Sequence, residues 1–238
     1  MSYTLFISDL HLDSARPHVI AALAQFLDTH RDCDALYVLG DIFEAWLGDD
    51  DNSALATQIT ELFTDFTKRG TALYLMRGNR DFLLGDDFAR RVGASMLADP
   101  TVIDLYGTPT LLMHGDSMCT EDTEYQAFRK MAHDPAWQAE LLAKSLEERQ
   151  AIATHLRTVS KESGSNKAQD IMDVTPNEVT QQMRNFGVDR LIHGHTHRPQ
   201  RHDTGSGTRW VLGDWDTRGW ALKIGEAEEK LYYFDIKQ

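Results

Sequence analysis

The sequence has only two cysteines in 238 residues, Cys33 and Cys119, far apart and outside any CxxC pair. A disulfide framework is thereby excluded, and a reducing cytoplasm is the expected compartment. No window approaches the roughly 18 apolar residues of a membrane-spanning helix. The first residues, MSYTLFISDLHL, lack the basic segment that opens a secretory signal. The chain is expected to be soluble, or at most to sit on a membrane surface. Basic residues are also short: 24 Lys and Arg against 37 Asp and Glu leave a net charge of −13. That argues against nucleic acid as a partner, because phosphate-backbone affinity needs a basic surplus on some face. There are no internal repeats and no low-complexity tract. Apolar residues at 42% and charged residues at 26% are ordinary globular values, which excludes disorder, collagen and a coiled-coil rod. The length suits one large domain, or one domain with an insertion.

An acidic chain can still take a phosphate-bearing substrate if a metal supplies the local positive charge. Ten histidines make that worth pursuing. Short apolar runs recur, each followed by a tight polar cluster: 3–11, 35–41, 71–79, 108–116 and 189–197. They read as buried strands. Between the first three, 17–30 and 53–69 place apolar residues at helical spacing, so an α/β fold is predicted. The tail segments 208–214, 218–224 and 230–236 read as short strands of an antiparallel meander. Two packed mixed sheets flanked by helices are therefore expected, with 1–120 and 171–238 forming the core. Residues 121–170 hold no strand-like run and read as a helical insertion, a lid, with Asp134 and Pro135 as N-cap and first helical residue. SKESGSNK at 160–167 reads as a polar loop, and TPNE at 175–178 as a capping box opening a further helix.

Chemistry-bearing residues fall in one kind of place. Asp9, His11, Asp41, Asn79, His114, His195 and His197 stand at or just after the C-terminal ends of predicted strands, where the rim of an α/β sheet forms its ligand crevice. Asp9/His11 and His195/His197 have the i, i+2 spacing that puts both side chains on one face of an extended segment. This mixed nitrogen and oxygen set suits two divalent cations sharing a carboxylate, with carboxylate and amide oxygen shifting the preference toward Mn or Mg. Turn chemistry alone accounts for any one of these fragments, but not for five of them in strand-end positions. His18, His30, His133, His155 and His202 lie away from the strand ends and are read as surface or core residues. Asp81 and Glu44 are read as orienting neighbours of the site.

The blocks DLH, GDIFE, GNRD, HGD and GHTH resemble the signature blocks of the calcineurin-like metallophosphoesterases. The resemblance implies a four-layer αββα fold and a dinuclear centre that activates a hydroxide. It assigns Asp9, His11 and His197 to one metal, Asn79, His114 and His195 to the other, and Asp41 to both. Where most of that superfamily has histidine in the third block, this chain has Arg80. A guanidinium cannot donate a proton near neutral pH, whereas a phosphate monoester, with a second pKa of about 6, leaves without an acid. Arg80 is thus suited to clamping a second phosphate, and a diphosphate substrate is predicted over a simple monoester.

With Arg80, the segments 40–50, 76–85, 171–176 and 192–199 and the helical insertion are similar to the bacterial UDP-2,3-diacylglucosamine hydrolase family. That similarity implies hydrolysis of a nucleotide-linked glycolipid in lipid A synthesis, two Mn ions, and weak peripheral contact with the cytoplasmic face of the inner membrane. It also implies substrate contacts from Asn79, Arg80, Asp122, Ser160, Lys167 and His195. The insertion is amphipathic. Arg149, Arg157 and Lys161 share one face. Phe128, Met131, Trp137, Leu141, Leu142, Ile152, Leu156 and Val159 either pack the helices together or, with Trp46, Phe82 and Leu83, line an acyl groove. Seven bases and nine acids over 121–170 do not make a polybasic anchor. Two alternatives stand beside this reading: a soluble nucleotide diphosphatase acting on an ADP-sugar, and a metal-free scaffold of the same fold, of the kind the retromer subunit represents.

Overall fold

Strand β1 (Tyr3–Ile7) has four consecutive buried residues and β2 (Ala35–Leu39) has five, a pattern that only strands covered on both faces sustain. The computed structural model shows what covers them. It describes residues 2–166, 173–205 and 207–237, with side chains described except at 160–166. One sheet adds β3 (Ala72–Met76), β4 (Ser95–Leu97), β10 (Arg218–Gly225) and β11 (Glu229–Asp235), in the order β11-β10-β1-β2-β3-β4. The other contains β5 (Thr101–Leu105), β6 (Thr108–Met113), β7 (Arg190–His193), β8 (Gln200–Asp203) and β9 (Thr208–Val211), in the order β5-β6-β7-β9-β8. Both sheets are mixed. The run β1-β2-β3-β4 and the run β6-β7-β9 are parallel, and the remaining pairings are antiparallel.

Alternation along the strands divides the core. Phe6, Tyr37, Leu39, Leu112, Ile192 and Trp210 pack between the sheets. Leu5, Ile7, Leu36 and Val38 face the opposite way, onto α1 (Pro17–Thr29), α2 (Ala54–Thr67) and α3 (Asp86–Arg91). Leu111, Met113 and Leu191 face α7 (Pro176–Phe186) through Val179 and Met183. The layers are therefore helix, sheet, sheet, helix, as expected.

Three local expectations are corrected. The tail is no single meander. β9 pairs with β7 and β8 in the second sheet, whereas β10 and β11 pair in the first. The chain crosses between sheets beyond β9, tied by the Leu212 amide to the His193 carbonyl at 2.8 Å and the Trp215 amide to the Asp9 carbonyl at 3.1 Å. Residues 160–166 are the last turns of α6 (Leu146–Asn166), not a loop; one glycine costs a helix only about 1 kcal/mol, too little to end one already nucleated. Thr175 occupies the N-cap of α7 without a side-chain cap bond. Its hydroxyl meets that of Thr120 at 2.8 Å, and Glu178 accepts from Gln182 at 2.7 Å instead.

Between β6 and α7 lie a short 3-10 turn (Asp116–Met118), α4 (Thr123–Ala132), α5 (Pro135–Leu142) and α6. Asp134 caps α5 as expected, accepting from the Ala136 and Trp137 amides at 2.8 and 3.1 Å, with Pro135 first in the helix. Arg149 of α6 is 4% exposed and donates to Asp50 and to the Leu47 carbonyl. It pins the helix to the loop after β2.

Candidate metal centre

All seven candidate ligands lie just beyond strands that end on one rim: Asp9 and His11 after β1, Asp41 after β2, Asn79 after β3, His114 after β6, His195 and His197 after β7. The backbone there is not extended. Among the described residues, six non-glycine residues have positive φ, and five of them are Asp9 (56°), His11 (47°), Asp41 (52°), His195 (67°) and His197 (54°). The i, i+2 pairs thus reach the rim through left-handed turns, not by strand alternation. Such conformations cost about 1 kcal/mol or more each and persist only where surrounding bonds enforce them. Here the Asp9 amide donates to the Gly40 carbonyl at 3.1 Å, that of His11 to Asp41 at 3.0 Å, and that of Gly194 to His114 at 2.8 Å. The loops pack tightly enough that a Cβ on Gly78 would collide with Asp41, and one on Gly194 with Asp9 and Ser8.

The side chains converge in two groups. Nε2 of His197 lies 3.3 Å from Oδ1 of Asp9 and 3.3 Å from Nε2 of His11. Nearby, Oδ1 of Asn79 is 3.0 Å from Nε2 of His114 and 2.9 Å from Nδ1 of His195, and Nε2 of His114 is 3.7 Å from Oδ1 of Asp41. Donor atoms of Asp9, His11 and His197, and those of Asp9, Asp41 and His114, lie within 4.8 Å of one another. Oδ1 of Asp9 and Nδ1 of His11 are buried without a hydrogen-bond partner. Orphaned donors of this kind, on imidazole and carboxylate, are what a divalent cation takes. The residues therefore fit the metals that the sequence blocks imply.

Electrostatics point the same way. Burial pushes Asp41 up to about 7, and it drives His11 down to about 3 and His195 down to about 4. At His114 burial opposes the charge, yet the carboxylates of Asp41, Asp116 and Asp9 raise the imidazole to about 9. Asp9 is held below the usual carboxylate range against its burial, chiefly by the His197 imidazole beside it. Closely packed carboxylates beside imidazoles that burial keeps free of protons suit a bound cation.

Supporting groups hold these ligands. Nδ1 of His114 is 2.9 Å from the Leu39 carbonyl. Asp81, 0% exposed, accepts from the amides of Gly78 at 2.6 Å and Ile42 at 2.7 Å, and so ties the loop after β2 to the loop after β3. Arg16 donates to the carbonyls of His11 at 3.0 Å and Trp215 at 2.5 Å. Sequence reading did not single out Arg16, nor the buried network in which Asp116 accepts from the Tyr125 hydroxyl at 2.5 Å and from Nε of Arg129 at 2.8 Å. The Tyr125 ring stacks on His195 at 5.9 Å. The signal available was the four-residue step from Tyr125 to Arg129 on α4, which places both on one helix face.

A cavity of about 790 Å³ opens at this rim. Asn79, Arg80, Asp122, His195 and His197 border it, and Trp46, Phe82, Leu83, Phe128, Leu141, Ile152, Leu156 and Val159 form its apolar wall. Met131, Trp137 and Leu142 stand outside that lining; Trp137 packs on Phe82 at 5.7 Å. Arg80 is fixed by its amide on Oδ1 of Asp41 at 2.8 Å, with Nε 3.7 Å from Oδ2. Asp122 caps α4 through the Tyr125 amide at 3.0 Å. Lys167 and the side chain of Ser160 lie outside the described residues. A smaller cavity of about 290 Å³ lies beside the β10–β11 turn, where Arg190 is already paired with Glu229.

Comparison with known proteins adds to this geometry. A profile of the family described as calcineurin-like phosphoesterase matches residues 3–199. The chain is 52% identical over 239 residues to UDP-2,3-diacylglucosamine hydrolase of Cellvibrio japonicus, covering 98% of this chain and 99% of that one. It is 50% identical over 225 residues to the protein of the same name from Pseudomonas aeruginosa, covering 92% and 94%. Among solved structures, an archaeal phosphodiesterase superposes with a TM-score of 0.51 at 10% identity, over 98% of this chain and 99% of that one. Vacuolar protein sorting 29 of Cryptosporidium parvum does so at 0.51 and 14%, over 99% and 92%. At such identities these two likenesses concern the fold alone.

Proposed function

Because the chain belongs to the calcineurin-like phosphoesterase family, we propose that it is a divalent-metal-dependent hydrolase of UDP-2,3-diacylglucosamine. It cleaves the diphosphate bond to give UMP and 2,3-diacylglucosamine 1-phosphate, a step of lipid A biosynthesis. One observation carries this reading: a single cavity has Asn79, Arg80, His195 and His197 at its polar end and a wall of aromatic and aliphatic side chains leading away. A phosphate attached to acyl chains needs both surfaces side by side; a nucleotide sugar without acyl chains needs only the first. The names of the curated relatives support the same substrate.

In this reading Asp9, His11 and His197 hold one cation, Asn79, His114 and His195 hold another, and Asp41 serves both. Mn2+ suits their mixed donors. Bound there, the ions supply Lewis-acid stabilisation of the phosphoryl oxygens and a nucleophile at neutral pH. Arg80 clamps the diphosphate as a bidentate donor, and the leaving phosphate needs no proton from it. Asp122, Ser160, Lys167 and His195 complete the substrate contacts. Residues 1–120 and 171–238 act as the catalytic core and 121–170 as the lid. Among the described residues no helix is long and apolar enough to cross a membrane. The exposed Met131, Leu142 and Val159 give the lid a weak foothold on the cytoplasmic face of the inner membrane.

The test is turnover of UDP-2,3-diacylglucosamine against an ADP-sugar with Mn2+ present. Faster hydrolysis of the ADP-sugar overturns the lipid reading. Hydrolysis surviving in Asp41→Ala overturns the assigned centre.

A further inference from the structure

Glu44 is outside the candidate ligand set, yet its carboxylate meets three other segments of the chain. Oε2 is 3.4 Å from Nδ1 of His11. Oε1 accepts from Nη1 of Arg80 at 3.4 Å and, in a short bond, from Nη2 of Arg157 on α6. The Glu44 amide in turn donates to the Leu12 carbonyl at 3.1 Å, which fixes where the side chain starts. Arg80 and Arg157 both line the large cavity, and Glu44 does not. The carboxylate therefore stands behind the two guanidiniums as a ligand in the cavity meets them. That order has consequences. A carboxylate in front would repel a diphosphate, whereas one behind offsets the repulsion between two like charges and leaves donors of each five-donor fork for an anion.

Resting on the function proposed above, we infer that Glu44 is a positioning residue for the diphosphate. It gathers Arg80, from the loop after β3, and Arg157, from α6, into one clamp, and so makes the docking of α6 part of substrate recognition. Both arginines are long and rich in rotamers, so an unheld Arg157 would be ordered only at the expense of affinity. Held by Glu44, it is in place before substrate arrives.

Steady-state kinetics on UDP-2,3-diacylglucosamine with saturating Mn2+ test this in the unaltered chain, Glu44→Gln, Arg157→Ala and the double variant. Each single change is expected to raise KM about tenfold, the scale of a supporting-residue loss, with a smaller effect on kcat. The double variant is expected to fall short of the product of the two, because the residues act as a unit. Mn2+ affinity measured by calorimetry without substrate is expected to stay the same in Glu44→Gln. An unchanged KM, a double effect equal to the product, or a loss of Mn2+ affinity each overturns the inference; the last assigns Glu44 to His11 instead. Glu44→Asp, too short to reach both guanidiniums, carries the same expectation should Glu44→Gln fail to fold. No turnover by the unaltered chain overturns the functional reading and this inference with it. Turnover by the unaltered chain with KM unmoved in the variants overturns the inference alone.

Discussion

Nδ1 of His114 lies 2.9 Å from the carbonyl of Leu39, so that nitrogen keeps its proton and Nε2, facing Asn79 and Asp41, is the atom a cation would take in exchange for the second proton that the neighbouring carboxylates hold on the ring. A backbone carbonyl thus selects the tautomer a metal ligand needs. His114→Gln is expected to lower Mn2+ affinity and activity together by at least about a hundredfold, the upper range for disrupted metal shells. Calorimetric titration beside turnover checks it; full affinity in the variant would remove His114 from the ligand set.

Asp81 holds two ligand-bearing loops together through the amides of Gly78, Asp41, Ile42 and Phe43. Asp81→Ala leaves those buried amides without an acceptor. A loss of about 3 kcal/mol in stability is expected, read by urea unfolding of the metal-free protein. A loss below about 1 kcal/mol would mean that other groups, or water, replace the carboxylate.

Ala153 borders the large cavity between Ile152 and Leu156. Ala153→Trp fills space that an acyl chain would need, and is expected to cut kcat/KM for the diacylated substrate about tenfold or more. Hydrolysis of an unacylated UDP-sugar, however slow, should be unmoved. Equal losses on both substrates would argue that the wall does not read acyl chains.

Arg149 is nearly buried, and its guanidinium forks onto Asp50 while also donating to the Leu47 carbonyl. Arg149→Ala is expected to destabilise the protein by about 2 kcal/mol. Arg149→Lys should recover little of this, because an ammonium cannot reproduce the fork. Thermal unfolding of the two variants decides; full rescue by lysine would reduce the role of Arg149 to its charge.

Burial raises the thiols of Cys33 and Cys119 to about 12. At pH 8 the reactive thiolate is then roughly one part in ten thousand, so neither should react with a disulfide reagent until the protein is unfolded in denaturant. In the unfolded chain thiols titrate near about 8.5. The sign follows: their contribution to stability is complete below that pH and is lost as pH rises toward the folded value. Prompt labelling of native protein at pH 8 would contradict the burial.

The strand-end positions of Asp9, His11, Asp41, Asn79, His114, His195 and His197 were legible in the sequence because buried parallel strands are continuous apolar runs, and the polar residues that end each run must lie on the rim. On one side, α1 and α2 were legible from their 3.6-residue spacing, and on the other α7 from the TPNE segment that opens it. What periodicity cannot report is which sheet a strand joins, so β9 and β10 looked like neighbours although they lie in different sheets. Nor can it report backbone handedness: the left-handed φ values at five candidate ligands come from loop-to-loop hydrogen bonds between segments distant in sequence. Charge partners were hidden for the same reason. Arg149 and Arg157 read alike on a helical wheel and both border the cavity, yet tertiary packing buries the first against Asp50 and sets the second on Glu44. Local pattern therefore determined the layers and the residues of the rim, while the contacts between segments decided their conformation, their partners and the cavity that joins the rim to the helices.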